Sequence, residues 1–283
     1  MNPLPDRDPI AFEDHALDVL KKAALGMQAD GQRLSPVLRE ALRVAFREQR
    51  LPDGPCLESL CESLELDFDA LQELHACPVL PCPAPMPGGC RDWVFPFGEG
   101  VVHAYGLHLP GTRKVWVFDC GTHAGPILED LEREGLELSD LWITHGHRDH
   151  LGGLEELMRR YPGLRLHGHR DGPLASRFAL APEPVEAEGG ICIRSTAIGG
   201  HADDALVYRV DGFERTLLIT GDTIFARSFG GMAKDYRKNR LLMARLLETS
   251  PPDALILPGH GPRTVVELER ARHPALSMRI LPL

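Results

Sequence analysis

The densest chemistry in this 283-residue chain lies in THGHRDH, where His145, His147, Asp149 and His150 stand within six residues, directly after the apolar run Leu141-Trp142-Ile143. Three imidazoles and a carboxylate packed this closely compete for the same few hydrogen-bond partners, whereas divalent cations satisfy their lone pairs with bonds of about 2 Å. If the apolar run is a strand ending in a loop, His145 and His147 point the same way, while Asp149 and His150 open the following helix and face a second position. One segment thus offers two cation positions.

Further ligands stand where other strands should end. His201 follows Gly199-Gly200, Asp222 follows Leu217-Leu218-Ile219 in LLITGD, and His260 follows Leu255-Ile256-Leu257 in LILPGH. Five histidines and two aspartates make a nitrogen-rich, oxygen-poor set, which suits zinc, iron or manganese better than calcium or magnesium. No cysteine belongs to it.

The series H-x-H-x-D-H, a lone histidine, an aspartate in a GD turn and a histidine in PGHG resembles the metal-ligand series of the metallo-β-lactamase superfamily, over roughly residues 93–283. Within it, FDCG at 118–121, GDTIF at 221–225 and GHGPRTVVELERARHPAL at 259–276 look most like the glyoxalase II-like hydrolases. The resemblance implies an α/β fold, the αββα sandwich, and two divalent metal ions per chain, zinc first with iron or manganese as alternatives. It implies one ion held by His145, His147 and His201, another by Asp149, His150 and His260, and Asp222 bridging them, with Asp149 and Asp222 as catalytic carboxylates. A water shared by two cations is acidified towards neutrality, so the implied reaction is attack of a metal-bridging hydroxide on a carbonyl. A thiolate leaves with little acid help, which favours a small thioester, or a related ester or lactone, as substrate.

Asp119 ends another apolar run, Val115 to Phe118, where the family places an aspartate behind the ligands. Metal-bound imidazoles usually donate the distal N–H to such a carboxylate; the plainer reading is a turn aspartate that caps Gly121 and Thr122. Two other functions stay open: a single iron at His145, His147 and His201, as in a persulfide dioxygenase, and a non-catalytic metal-binding sensor. The chain departs from glyoxalase II after GDTIF, with Ala226-Arg227-Ser228-Phe229-Gly230-Gly231-Met232 in place of that family's glycine, cysteine and arginine turn, and few residues follow Pro274. Glutathione recognition is therefore not implied. Arg227, Lys234, Tyr236, Arg237 and Lys238 either line a pocket for an anionic substrate or begin a solvated helix, and Phe229 and Met232 read as packing.

The remaining histidines, His15, His75, His103, His108, His123, His167, His169 and His273, read as solvated or hydrogen-bonded side chains. His167 and His169 form a second H-x-H, but no D-H pair follows and LRLHGHRDG reads as a strand entering a turn. Cys120 reads as a small buried residue. Seven cysteines without a leader sequence suggest reduced thiols and a cytoplasmic protein, and Cys77, Cys82 and Cys90 lack the C-x-x-C pairs of a structural metal site.

The elements that must position these residues follow from periodicity. Residues 1–76 read as a helical bundle, with apolar residues at helical spacing in Leu17 to Leu25, Val37 to Ala45, Cys56 to Leu64 and Phe68 to Leu74. Residues 77–90, CPVLPCPAPMPGGC, read as a linker stiffened by proline. Residues 91–283 form the metal domain: VVHAYGLHL and KVWVFD joined by PGTR, ALVYRV and RTLLIT joined by DGFE, and the helices GPILEDLEREGL, LGGLEELMRRYP and DYRKNRLLMARLLET. The bundle faintly resembles a helix-turn-helix, but Glu58, Glu62, Glu65, Asp67, Asp69 and Glu73 would repel phosphate, and the net charge is −10. Nucleic acid is excluded as a partner. No apolar run approaches the roughly 20 residues needed to span a bilayer, so no membrane partner is expected either. The bundle is left with packing, shaping of the entrance, or a homodimer contact.

Overall fold

The computed structural model describes residues 15–78, 82, 84–98, 100–178, 180, 185–186 and 190–281. Parts of the expected linker and the first 14 residues lie outside them. Four helices come first: α1 (Ala16–Ala29), α2 (Pro36–Glu48), α3 (Gly54–Leu64) and α4 (Phe68–Ala76). Their starts follow local chemistry. The Ser35 side chain accepts the Leu38 N–H at 3.3 Å with Pro36 at the first helical position, and Asp67 accepts from Ala70 N at 3.0 Å. Such caps each contribute about 1 kcal/mol.

The rest of the chain builds two sheets. The first holds β1 (Cys90–Phe97), β2 (Gly100–His108), β3 (Lys114–Phe118), β4 (Glu137–Trp142) and β5 (Arg165–His167) in that order, with α5 (Gly125–Glu134), α6 (Arg148–Leu151) and α7 (Leu154–Arg160) between strands. The second runs β13-β12-β9-β8-β7-β6, from β6 (Val185–Glu186), β7 (Cys192–Ala197), β8 (Leu206–Asp211), β9 (Leu217–Gly221), β12 (Leu255–Pro258) and β13 (Thr264–Val265). A small pair, β10 (Ile224–Phe225) and β11 (Ser228–Phe229), precedes α8 (Tyr236–Thr249), and α9 (Val266–Arg272) follows β13. Both expected hairpins form, as antiparallel β2–β3 and β8–β9. The sequence reading missed β1, a strand whose mixed residues give it one exposed and one buried side.

Strand alternation sorts the core into layers. Trp116, Phe118 and Trp142 of the first sheet meet Tyr208, Leu217, Ile219 and Leu255 of the second. Val115, Val117 and Leu141 point the other way and pack with Ile127, Leu131, Leu154 and Leu157 of α5 and α7. On the outer side of the second sheet, Val207, Leu218 and Ile256 share a cluster with α8 and also with Leu20, Leu60 and Leu71 of the first four helices. The layering is αββα, and strands buried on both faces read as near-continuous apolar runs. Among the described residues no helix is long and apolar enough to cross a membrane.

The layout delivers several loops to one edge. β3 and β4 are parallel, and so are β9 and β12. Their C-terminal ends carry Asp119, His145, Asp222 and His260 in turn. Cross-sheet bonds fix the two edges together: Leu206 N donates to Thr144 O at 2.8 Å, Tyr208 Oη to Ile143 O at 2.7 Å, and Tyr105 Oη to Pro258 O at 2.7 Å.

Candidate metal centre

All seven side chains singled out by spacing meet at this edge. In one group, single ligand atoms of His145, His147, His201 and Asp222 lie within 4.8 Å of one another, and in a second so do those of Asp149, His150 and His260. His147 Nδ1 stands 3.0 Å from His145 Nε2 and 3.1 Å from His201 Nε2. Asp222 touches both groups: Oδ2 lies 3.3 Å from His201 Nε2 and 3.4 Å from His260 Nε2, and Oδ1 lies 3.4 Å from His150 Nε2. His260 Nε2 also stands 3.2 Å from Asp149 Oδ2.

The bonds on the far side of the rings decide which nitrogen faces inward. His150 Nδ1–H donates to Asp119 Oδ2 at 2.7 Å, and His260 Nδ1–H donates to the Val101 carbonyl at 2.7 Å. Thr144 Oγ1 donates to Asp119 Oδ2 at 2.7 Å and so accepts from His145 Nδ1–H at 3.1 Å. Each outward N–H leaves Nε2 as a bare lone pair, and these lone pairs converge on carboxylate oxygens. Among the described residues, buried His150 Nε2 and Asp222 Oδ1 have no hydrogen-bond partner. Acceptors facing acceptors repel, and the cost of burying them unsatisfied is about 1–3 kcal/mol each. A cation at each group's centre removes that conflict: ligands held tetrahedrally at about 2.0–2.1 Å stand about 3.3–3.4 Å apart, close to the separations seen here.

That conflict holds for neutral rings, and protons on His150 and His260 would relieve it where a cation does not, as their titration shows. Burial, then the neighbouring His150, drives the His145 ring down to about 2, and burial, then His201, lowers His147. Burial would also lower His260, but Asp149 and Asp222 raise it to about 10. Against burial, Asp222 and Asp119 likewise raise His150 well above the ordinary imidazole value. Burial opposes ionisation of Asp222 and Asp149, yet His150, His201 and His260 hold Asp222 far below the usual carboxylate range, and His260 and His150 lower Asp149. Positive charge belongs in this pocket.

Several contributors were not singled out from sequence. Thr144 orients both Asp119 and His145, and its only signal was its place before the histidine. Gly221 takes φ +48 and a Cβ there would lie 2.5 Å from Thr144 Oγ1, while a Cβ at Gly259 would meet Asp222 Oδ1 at 2.5 Å. Those glycines let the backbone approach the cluster. His103 donates its backbone N–H to Gly259 O at 2.8 Å, and its ring pairs with Asp92 at 2.7 Å. Phe97, about half exposed, lies 6.0 Å from the His260 ring, and Phe225 packs against the same ring from within. The site opens to solvent at exposed His147 and half-buried His201 and His260.

The basic group after GDTIF does not gather at this opening. Arg227 is buried and donates to the Cys77 and Pro78 carbonyls at 2.6 Å, Arg237 pairs with Glu65, and Lys234 pairs with Asp203. Tyr236, Phe229 and Met232 are buried in the cluster around α8. His167 is wholly buried and bonded to Asp140 at 2.8 Å, while His169 is half-buried in the following turn, so the second H-x-H is split between core and loop. Cys120 is buried, its thiol pushed up chiefly by burial.

The sequence model of the metallo-β-lactamase superfamily matches residues 98–260, more than half of the chain. This protein is a member of that superfamily. Its members bind divalent metals, and the matched stretch contains all seven converging residues. Curated relatives include the hydroxyacylglutathione hydrolase of Chromohalobacter salexigens, 33% identical over 163 residues that make up 54% of this chain and 60% of that protein. The probable hydroxyacylglutathione hydrolase glo2 of Schizosaccharomyces pombe is 31% identical over 58% of this chain and 65% of its own length. The chain thus spans under two thirds of these relatives. Solved superfamily structures share the fold: BLEG-1 B3 metallo-β-lactamase at TM-score 0.54 and 22% identity, over 66% of this chain and 99% of that one, and ETHE1 from Myxococcus xanthus at 0.55 and 20%, over 68% and 90%.

Proposed function

We propose that this superfamily member is a dinuclear metal-dependent hydrolase of a small thioester, with esters or lactones as related substrates. His145, His147 and His201 hold one divalent cation, Asp149, His150 and His260 the other, and Asp222 lies between them; zinc suits the nitrogen-rich set best, with iron or manganese also matched to it. Contact of Asp222 with histidines of both groups is the observation that carries this reading. Similarity to two hydroxyacylglutathione hydrolases supports the thioester class.

Divalent cations held there would supply Lewis acidity, which lowers the pKa of water and favours negative charge developing on a carbonyl oxygen. Protein groups supply the rest. Asp119, Thr144 and the Val101 carbonyl fix the rings of His150, His145 and His260, so that no reorientation accompanies the reaction. Asp149 and Asp222 remain ionised and balance the cationic charge. Neither is suited to protonate a leaving group, which fits a thiolate better than an amine. Phe97 gives the mouth an apolar wall beside His260.

The organisation proposed with this function is a helical bundle at 1–76, a linker at 77–90 and the metal domain at 91–283, in a cytoplasmic protein that acts on a small molecule. The test is hydrolysis of a hydroxyacyl thioester by protein of known metal content, using glutathione and a thiol without its carboxylates as leaving groups. Two ions per chain and turnover lost on chelation are expected. One iron per chain with sulfite formed from a persulfide would instead establish the dioxygenase chemistry.

A further inference from the structure

Away from the metal edge, the first two helices and their surroundings border a cavity of about 1030 Å³ that is open to solvent on one side. One part of its wall is apolar, with Leu17 and Ala24 on α1, Leu34 before α2, and Leu38, Leu42 and Phe46 on α2, and the rest is polar, with Gln28, Gln32, Gln49 and His75 among the side chains. Leu25 adds an apolar rim and is 55% exposed. The charged lining is one-sided. Lys21, Arg33, Arg39 and Arg237 reach the cavity and Asp18 is the acid among them, in a chain whose net charge is −10. Arg237 is already paired with Glu65, and Arg39 donates to Leu34 O at 3.2 Å. Lys21 and Arg33 make no hydrogen bond or ion pair among the described residues, and both are exposed at the mouth.

An apolar concavity with a few convergent polar groups is the usual form of a small-molecule site, and typical volumes run from about 300 to 1,000 Å³. Apolar walls alone would suit many occupants. Four cations against one acid, on an otherwise acidic protein, select an anionic head group, and among the described residues only Arg237 of the four has an acidic partner. We propose that this cavity binds an amphipathic anion: an aliphatic chain against Leu34, Leu38, Leu42 and Phe46, with its carboxylate head at Lys21 and Arg33.

The ligand site is separate from the metal edge yet shares α1 with it. Leu17, Lys21 and Ala24 face the cavity, whereas Lys22 and Gly26 on the other side meet the metal half: Lys22 Nζ donates to Ser228 Oγ at 3.4 Å, and Gly26 packs on the Tyr236 ring. The proposal does not depend on the hydrolase reading, because neither its residues nor its test involves the metal ligands.

Calorimetric titration of the full chain decides it, with dodecanoate and dodecyltrimethylammonium compared below their micellar concentrations. One saturable site per chain that prefers the carboxylate by about tenfold or more is expected. Lys21→Glu combined with Arg33→Glu, both exposed and without a partner among the described residues, should weaken dodecanoate by about three- to tenfold and remove the preference. Ala24→Trp should fill the space and abolish binding, with circular dichroism to check the fold. Should that variant not fold, the double charge reversal decides alone. No binding by the full chain, equal binding of the two amphiphiles, or undiminished dodecanoate binding in either folded variant would overturn the proposal.

Discussion

Two buried polar clusters lie within this protein and obey opposite rules. At the metal edge, inward Nε2 atoms of His145, His150 and His260 face the oxygens of Asp149 and Asp222, acceptor against acceptor when the rings are neutral. Around the turn after Asp222, donors meet acceptors: Glu269 accepts from Thr264 Oγ1 at 2.6 Å and Arg227 N at 2.8 Å, and His273 Nε2–H donates to Ser228 O at 2.9 Å. Both clusters are buried and rich in titratable groups. The difference shows that burial and charge do not mark a ligand site; unmatched lone pairs aimed at a common point do.

The strongest way to break the contrast is to remove its shared carboxylate. Asp222→Asn should lower kcat/KM for a thioester by at least about a thousandfold and reduce bound metal, measured by steady-state kinetics and elemental analysis. Retention of both metal and activity would show that the convergence has another purpose.

The matched cluster should reveal itself through stability. Burial pushes the Glu269 carboxyl up to about 7 from an ordinary 4.5. The folded state therefore holds this proton more tightly than the unfolded state, so stability is full below about 4.5 and falls as pH rises through 7. The upper bound is about 3 kcal/mol. Burial acts oppositely on His273, lowered to about 3, whose contribution is present at neutral pH and lost as pH falls from about 6.5 towards 3. Urea unfolding of metal-saturated Glu269→Gln should show a flatter limb between pH 5 and 8 than the parent. An identical slope would mean that Glu269 is ionised throughout.

A smaller effect sharpens the role of the outward bonds. Asp119→Ala leaves the His150 N–H and Thr144 without their acceptor, and should weaken metal binding by about 10- to 100-fold while the fold persists, as read by competition with a chromophoric chelator. Smallest of all, His169→Ala removes a ring that accepts the Asp171 N–H at 3.2 Å and should change activity by less than about twofold. A large loss there would place the second H-x-H in the site after all.

Much of the metal edge was legible in the sequence because three candidate ligands closely followed apolar runs, and strand ends of parallel pairs share one edge of a sheet. His145, Asp222 and His260 could be read in this way. Asp119 could be anticipated for the same reason, but Thr144 could not, since a hydroxyl beside a histidine has no pattern of its own. The basic residues after GDTIF misled in one respect: Arg227 is as charged as any surface arginine, and only the folded chain brings the Cys77 and Pro78 carbonyls to it. β1 escaped notice because apolar Val94 and Pro96 occupy exposed positions, so Trp93 to Phe97 shows no apolar–polar alternation. The cavity was invisible for a related reason, since periodicity reports which helix face is apolar but not whether the facing side chains fill the space between.

Gly26 extends the reach of this architecture. A Cβ there would fall 2.4 Å from Tyr236 Cδ2, and a Cβ at Gly200 would meet Met232 at 3.0 Å and Asn239 at 2.9 Å, one residue before His201. Helix α1, the first turn of α8 and the loop that carries a candidate ligand are therefore stacked without slack. A bulkier residue early in the chain would be transmitted by steric displacement to a histidine encoded far downstream, so tolerance to substitution in the amino-terminal helices should track proximity to this stack rather than distance along the polypeptide.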